Sequence, residues 1–203
     1  MRKSLFIVIE GIDGSGTTTC GKELVKELSA NAVSAYFTCE PTNSKIGKLL
    51  RKALGGEGVG VFGKEIDSKT ASLLFAADRH DHYANEIKPR LKNKTVVICD
   101  RYLYSSLAYQ GKDCSQRWIE EINCTVPEPD LVFFIDVDYE TSLKRRIQRK
   151  SKEEIYENEK FQRDLIERYR TICEEKYSIF IDGSQSIEKV KNSCLEVIMK
   201  KIM

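Results

Sequence analysis

Gly11 and Gly16 frame a segment that runs Glu10-Gly11-Ile12-Asp13-Gly14-Ser15-Gly16-Thr17-Thr18. The spacing is that of a phosphate-binding loop, in which the second glycine is followed by lysine and then by serine or threonine. Thr18 fills the hydroxyl position, which suits Mg²⁺. Thr17 stands where a lysine would bring positive charge to the β- and γ-phosphates. Gly14 and Gly16 let the backbone approach phosphate oxygens closely, and a helix starting near Thr17 adds its positive dipole end. A glycine turn with no ligand is the plain alternative, but the full frame after an apolar strand argues against it. The loop therefore predicts nucleotide phosphate binding with its positive charge met elsewhere. Unreplaced, the lost charge-assisted contact costs about 1.5–3 kcal/mol.

Composition narrows the classes. The chain has 203 residues, 41% of them apolar, enough for one compact domain with a sizeable core. The 33 basic and 31 acidic residues leave a net charge of +2, which gives no warrant for nucleic-acid binding as the main activity. No apolar run reaches the length of a membrane span. Arg2 and Lys3 precede an apolar stretch, but Glu10 ends it too soon for a signal-peptide core. Seven scattered cysteines, with no C-x-x-C pair, read as reduced thiols and place the chain in the cytoplasm. His80 and His82 have no partner set for a metal and read as solvated or hydrogen-bonded surface residues.

These residues need a scaffold. Strands are expected at Leu5–Ile9, Ser34–Thr38, Thr95–Cys99, Leu131–Ile135 and Ser178–Ile181, most of them continuously apolar as in a parallel sheet buried on both faces. Helical spacing covers Thr18–Leu28, Ser44–Leu54, Asp67–Leu91, Tyr139–Lys150, Glu153–Lys176 and Ile187–Ile202. Such alternation predicts an α/β fold with helices on both faces of the sheet. Five glycines among residues 55–63 read as a surface loop. Ligands of such folds lie beyond the carboxyl ends of the strands. Asp13, Glu40, Asp100 with Arg101, Asp136 and Asp182 all follow strands and should gather at that edge.

Over nearly its whole length the chain resembles the thymidylate (dTMP) kinase family of P-loop nucleoside-monophosphate kinases. The matching segments are E-G-I-D-G-S-G at 10–16, E-P-T at 40–42, L-L-F-A-A-D-R at 73–79, D-R-Y-L-Y-S-S-L-A-Y-Q-G at 100–111 and Y-E-N-E-K-F-Q at 156–162. The resemblance implies a three-layer α/β/α fold, a five-stranded parallel sheet, a helical lid near 145–160 and a homodimer. The implied activity is Mg²⁺-dependent phosphoryl transfer from ATP to dTMP. ATP binding is implied for Gly11, Ile12, Asp13, Gly14, Ser15, Gly16, Thr17, Thr18, Arg145 and Gln185. The dTMP site would take Asp13, Glu40, Phe75, Arg79, Arg101, Ser106 and Tyr109. Phe75 and Arg79 lie four apart on one helix face, a ring to stack a pyrimidine and a guanidinium for its carbonyl edge. Tyr109 would crowd a 2′-hydroxyl. Catalytic roles are implied for Asp13, Asp100, Arg101 and Arg149, and metal placement for Thr18 and Asp100.

Two departures qualify the match: Thr17 replaces the loop lysine, and Cys39 stands where bacterial members often carry arginine, which removes a possible monophosphate contact. With Gly14 in place of a loop arginine, the chain resembles the class whose lid arginines supply the charge. Two other readings stay open: a kinase for another deoxynucleotide or nucleoside, and a catalytically weak nucleotide-binding protein, which Thr17 and Cys39 favour. The apolar residues Leu73, Leu74 and Ala77 fit an interface or core packing equally well.

Overall fold

The computed structural model describes residues 4–54, 66–148 and 159–202. The glycine-rich stretch at 55–63, Arg149, Lys150, Lys152 and much of the expected lid lie outside the described residues.

Five strands form one parallel sheet: β1 (Phe6–Glu10), β2 (Ala35–Cys39), β3 (Val96–Asp100), β4 (Leu131–Asp136) and β5 (Ile179–Asp182), ordered β2-β3-β1-β4-β5. Each expected strand is present, shifted toward its carboxyl end by a residue or less at its start. The central strands β1 and β3 are buried at every position, which explains why their sequences do not alternate. Successive side chains point to opposite faces and feed two cores. Ile7, Ile9, Ile98 and Phe133 pack against α1 (Thr17–Ala30) and α9 (Ile187–Ile202) through Leu24, Leu28, Cys194 and Ile198. Phe6, Val8, Val97 and Phe134 pack on the other face against α5 (Leu103–Gln110) and α8 (Glu159–Glu175) through Leu107, Leu165 and Tyr169.

Among the described residues the remaining helices are α2 (Lys45–Leu54), α3 (Ser68–His82), α4 (Lys88–Lys92), α6 (Gln116–Glu121) and α7 (Tyr139–Gln148). The sequence reading assigned no element between 100 and 130, and so missed α5 and α6. α5 follows its strand after only two residues and buries Leu103, Tyr104, Leu107 and Ala108. The single helix expected over Asp67–Leu91 is instead broken by a π turn at Tyr83–Ile87. The wider turn carries Glu86 back toward the sheet, where it accepts from Tyr36 Oη at 2.8 Å and Thr38 Oγ1 at 3.1 Å. Leu73 is 51% exposed and Ala77 is exposed, so core packing does not account for them; Leu74 is half-buried. Among the described residues no helix is long and apolar enough to cross a membrane.

Past the strand ends the sheet continues as single hydrogen bonds. Arg101 N donates to Ile9 O at 2.9 Å, Glu40 N to Asp100 O at 3.0 Å, and Gly183 N to Asp136 O at 2.8 Å. These bonds fix the loops that carry the chemically loaded residues.

Candidate active site

The phosphate loop takes the shape its glycines allow. Gly14 has φ of 83° and Gly16 of 102°, both left-handed. Among the described residues no side chain caps α1 at Gly16, and its first turn contains no acidic residue, which leaves the helix N-terminus suited to an anion. Ser142 Oγ donates to Asp13 O at 2.7 Å and braces the loop from α7. A Cβ on residue 14 would lie 2.7 Å from Ser142 O. Gly14→Ala is therefore expected to cost about 2 kcal/mol from the left-handed backbone and the clash, and to weaken ATP binding. Thermal unfolding beside nucleotide titration checks it; an unshifted midpoint with normal ATP affinity would reject this account.

Thr17 is buried, 6% exposed, and brings no charge. Thr18 is exposed and its hydroxyl donates to Asp100 Oδ2, joining the loop to the end of β3. The other oxygen, Asp100 Oδ1, is buried and has no hydrogen-bond partner among the described residues. A hydroxyl and a half-satisfied carboxylate are hard oxygen donors, and they fit Mg²⁺ held through one or two protein oxygens.

Across the loop stands Arg101, on a left-handed backbone with φ of 69°. Its Nη2 donates to Asp13 Oδ1 at 2.5 Å, and the guanidinium lies 5.6 Å from the Tyr109 ring centre. Tyr109 Oη approaches Asp13 Oδ2 at 3.5 Å. Thus Asp13, Arg101 and Tyr109, which the sequence reading set together, do meet. Beneath them lies Glu10, which the sequence offers as the end of an apolar run and the first residue of the loop motif, with no role of its own. It is fully buried; burial pushes its carboxyl up, opposed by Ser105, Arg101, the Tyr102 N–H and Arg79.

The second-strand loop is organised around buried polar groups. Arg79, on α3, is 1% exposed. Its Nε donates to Glu40 Oε2 at 2.9 Å, Nη1 to Asn123 Oδ1 at 2.7 Å, and Nη2 to Tyr102 O and Ser106 Oγ, both at 3.0 Å. Among the described residues this leaves one Nη1–H for a ligand carbonyl. Phe75, one turn earlier, is half-buried. His82 is not at the surface as expected: it is 2% exposed, with Nδ1 3.1 Å from Glu40 Oε1 and Nε2 2.8 Å from Thr38 Oγ1. Glu40, His82 and Cys99 come close enough to suggest metal ligands, but the Arg79 guanidinium already occupies Glu40, and the Cys99 thiol donates to Arg101 O at 3.0 Å. Asp78 holds the loop by accepting from Thr42 N at 2.7 Å, Thr42 Oγ1 at 2.6 Å and Ser44 Oγ at 3.0 Å.

Burial and the nearby Asp100 push the Cys39 thiol up, so it stays neutral. The cation absent at position 39 is nonetheless present in space. Arg51, from α2, donates to Pro41 O and Thr42 O and lies 3.9 Å from Cys39 Sγ. Sequence spacing could not pair residues on a strand end and a following helix.

On the other side Arg145 ties the phosphate loop to the β5 loop, with Nη1 3.2 Å from Ser15 O and Nη2 2.8 Å from Gly183 O. Gln185 Nε2 donates to Asp182 Oδ2 at 3.0 Å in the same loop. Arg146 is 3% exposed, and its Cγ would lie 3.2 Å from a Cβ on residue 14. Two of the strand-end carboxylates serve the scaffold instead: Asp136 binds Arg170 Nε at 3.1 Å, and Asp182 closes its own turn through Ser184.

Comparison with known proteins gives consistent matches. A family model described as Thymidylate kinase matches residues 9–194. A protein of Methanocaldococcus jannaschii named probable thymidylate kinase is 43% identical over 197 residues, covering 96% of each chain. Similar proteins of the same name are found in Pyrococcus horikoshii, 35% identical over 203 residues (99% of this chain, 98% of the relative), and Thermococcus kodakarensis, 37% identical over 199 residues (96% and 97%).

Proposed function

Because the chain belongs to the thymidylate kinase family, we propose that it transfers the γ-phosphoryl group of ATP to dTMP, giving dTDP and ADP in dTTP biosynthesis. The observation that carries this reading is the 2.5 Å contact between Arg101 and Asp13, which sets a phosphate-binding cation beside the donor loop. The acceptor phosphate is already ionised, so positioning and charge stabilisation dominate over proton transfer. Arg101 holds that phosphate with its planar fork, and Asp13 orients the sugar side. Phe75 stacks the base, the remaining Arg79 N–H meets its carbonyl edge, Ser106 and Glu40 hold Arg79, and Tyr109 crowds the 2′ carbon. Residues 11–18 cradle the donor phosphates, with Arg145 and Gln185 on the adenine side. Thr18 and Asp100 would hold Mg²⁺, which when bound supplies hard positive charge to the donor oxygens.

The protein acts as a single unit whose lid, near 145–160, brings Arg149 over the transferred group in place of the loop lysine. The exposed Leu73 and Ala77 on α3 support a homodimer through that helix, which sedimentation measures. The working compartment is the cytoplasm.

A coupled assay of ADP formation with Mg-ATP and a panel of monophosphates tests the reading. dTMP should be the preferred acceptor; preference for another monophosphate would reject it, and tight ATP binding without turnover would favour the binding-protein alternative. Thr17→Lys adds the absent charge and is expected to lower the ATP KM about tenfold or more. Arg149→Ala should cut kcat sharply, and a fully active Arg149→Ala enzyme would remove that residue from the mechanism.

A further inference from the structure

Arg101 keeps its side chain where it is through one layer of hydroxyls backed by one buried carboxylate. Nη1 donates to Tyr169 Oη at 3.1 Å and to Ser105 Oγ at 3.3 Å. The two hydroxyl oxygens are 2.7 Å apart. Both reach the same oxygen of Glu10: Ser105 Oγ lies 2.7 Å and Tyr169 Oη 3.2 Å from Oε2. The second oxygen, Oε1, accepts from Tyr102 N at 2.8 Å and Ser105 N at 3.4 Å, so the carboxylate cannot swing away.

The polarity of this stack is constrained at both ends. An ionised carboxylate only accepts, and a guanidinium only donates. Each hydroxyl has a single proton, which goes to Glu10 Oε2 or across 2.7 Å to the other hydroxyl, and in either case lone pairs are left facing the guanidinium. With an amide at position 10, a donor would face Ser105 and Tyr169, their protons would turn outward, and Arg101 Nη1 would lose its hydroxyl acceptors. Packing of Tyr169 is a separate matter: its ring stacks on Phe134 at 5.6 Å and 19° and meets Tyr109 edge-on at 6.1 Å. The ring holds the core together, and the hydroxyl sets the arginine.

We propose that Glu10 is a positioning residue for the acceptor phosphate, acting through Ser105 and Tyr169 to hold the Arg101 fork in its binding orientation. The inference rests on reading Arg101 as the acceptor clamp. Among the described residues, the Arg101 Nε–H and one Nη2–H keep no protein acceptor, which is the pair a phosphate would take.

Steady-state kinetics of Tyr169→Phe, Ser105→Ala and Glu10→Gln, with KM for dTMP and ATP measured separately, test it. Tyr169→Phe is expected to raise the dTMP KM about fivefold and Glu10→Gln about tenfold or more, with the ATP KM unchanged. A purely structural role would lower the active fraction without this split. Calorimetric dTMP dissociation constants complete a cycle with Arg101→Met: once the guanidinium is gone, Tyr169→Phe should have no further effect. An unchanged acceptor KM in all three single variants, or the same Tyr169→Phe factor in the Arg101→Met background, overturns the proposal. If Glu10→Gln fails to fold, Tyr169→Phe and Ser105→Ala decide. A wild-type enzyme that prefers another monophosphate, yet shows the same dependence on Tyr169 and Arg101, supports the positioning role while rejecting dTMP as substrate.

Discussion

Replacing Arg101 with alanine is expected to lower kcat/KM for dTMP on the order of a thousandfold while leaving the ATP KM nearly unchanged. Two effects combine. The acceptor phosphate loses its charge-assisted fork, and Asp13, paired with Arg101 at 2.5 Å in the protein, is left as a bare carboxylate beside an incoming anion. Arg101→Lys keeps the charge but not the planar fork shared among Asp13, Ser105 and Tyr169, and about a hundredfold loss is expected for it. The left-handed backbone strain is much the same for alanine and arginine, but Arg101 also offsets the buried Glu10 charge, so thermal unfolding is measured beside the kinetics. Steady-state kinetics with dTMP varied at saturating Mg-ATP measure both. An Arg101→Ala enzyme within tenfold of wild type would remove the clamp from the mechanism.

The largest effect on stability is expected at Arg79. Its guanidinium neutralises Glu40, which is 5% exposed, and satisfies Asn123, the Tyr102 carbonyl and Ser106. Removing one partner of a buried ion pair leaves an uncompensated charge, at a cost of about 3–5 kcal/mol. For a chain of this size that lowers the melting temperature of Arg79→Leu by roughly 10 °C. Removing both charges, in Glu40→Leu with Arg79→Leu, should recover part of the loss, because the unpaired carboxylate is then gone too. Thermal unfolding of the three variants decides. A single variant within about 1 kcal/mol of wild type would mean that water reaches Glu40 and that the pair is not buried in solution.

The sheet was legible because its signals are local. Runs such as 6–9 and 96–99 are apolar throughout, as burial on both faces demands, and each is followed by a carboxylate, Glu10 or Asp100, at its carboxyl edge. The π turn at Tyr83–Ile87 was not legible: nothing in its composition breaks helical spacing, and its Glu86 partners, Tyr36 and Thr38, come from β2. His82 shows the same limit. On sequence it is one histidine near another, and only the closing of α3 onto β2 buries it against Glu40 and Thr38.

By itself, then, the sequence determined the order of the five strands, the glycine frame at residues 11–16 and the segments that reach the active edge. These follow from backbone conformation and the two helical and strand periods, which neighbouring residues decide among themselves. Tertiary structure decided which polar groups are already committed. Arg79 has four protein acceptors, Arg51 stands where residue 39 offers no cation, and Glu10 backs Arg101 through Tyr169, which lies 159 positions along the chain from Glu10. A hydrogen bond or a buried charge is set by distance in space, and the parallel crossovers that bring such residues together leave no periodic trace between them.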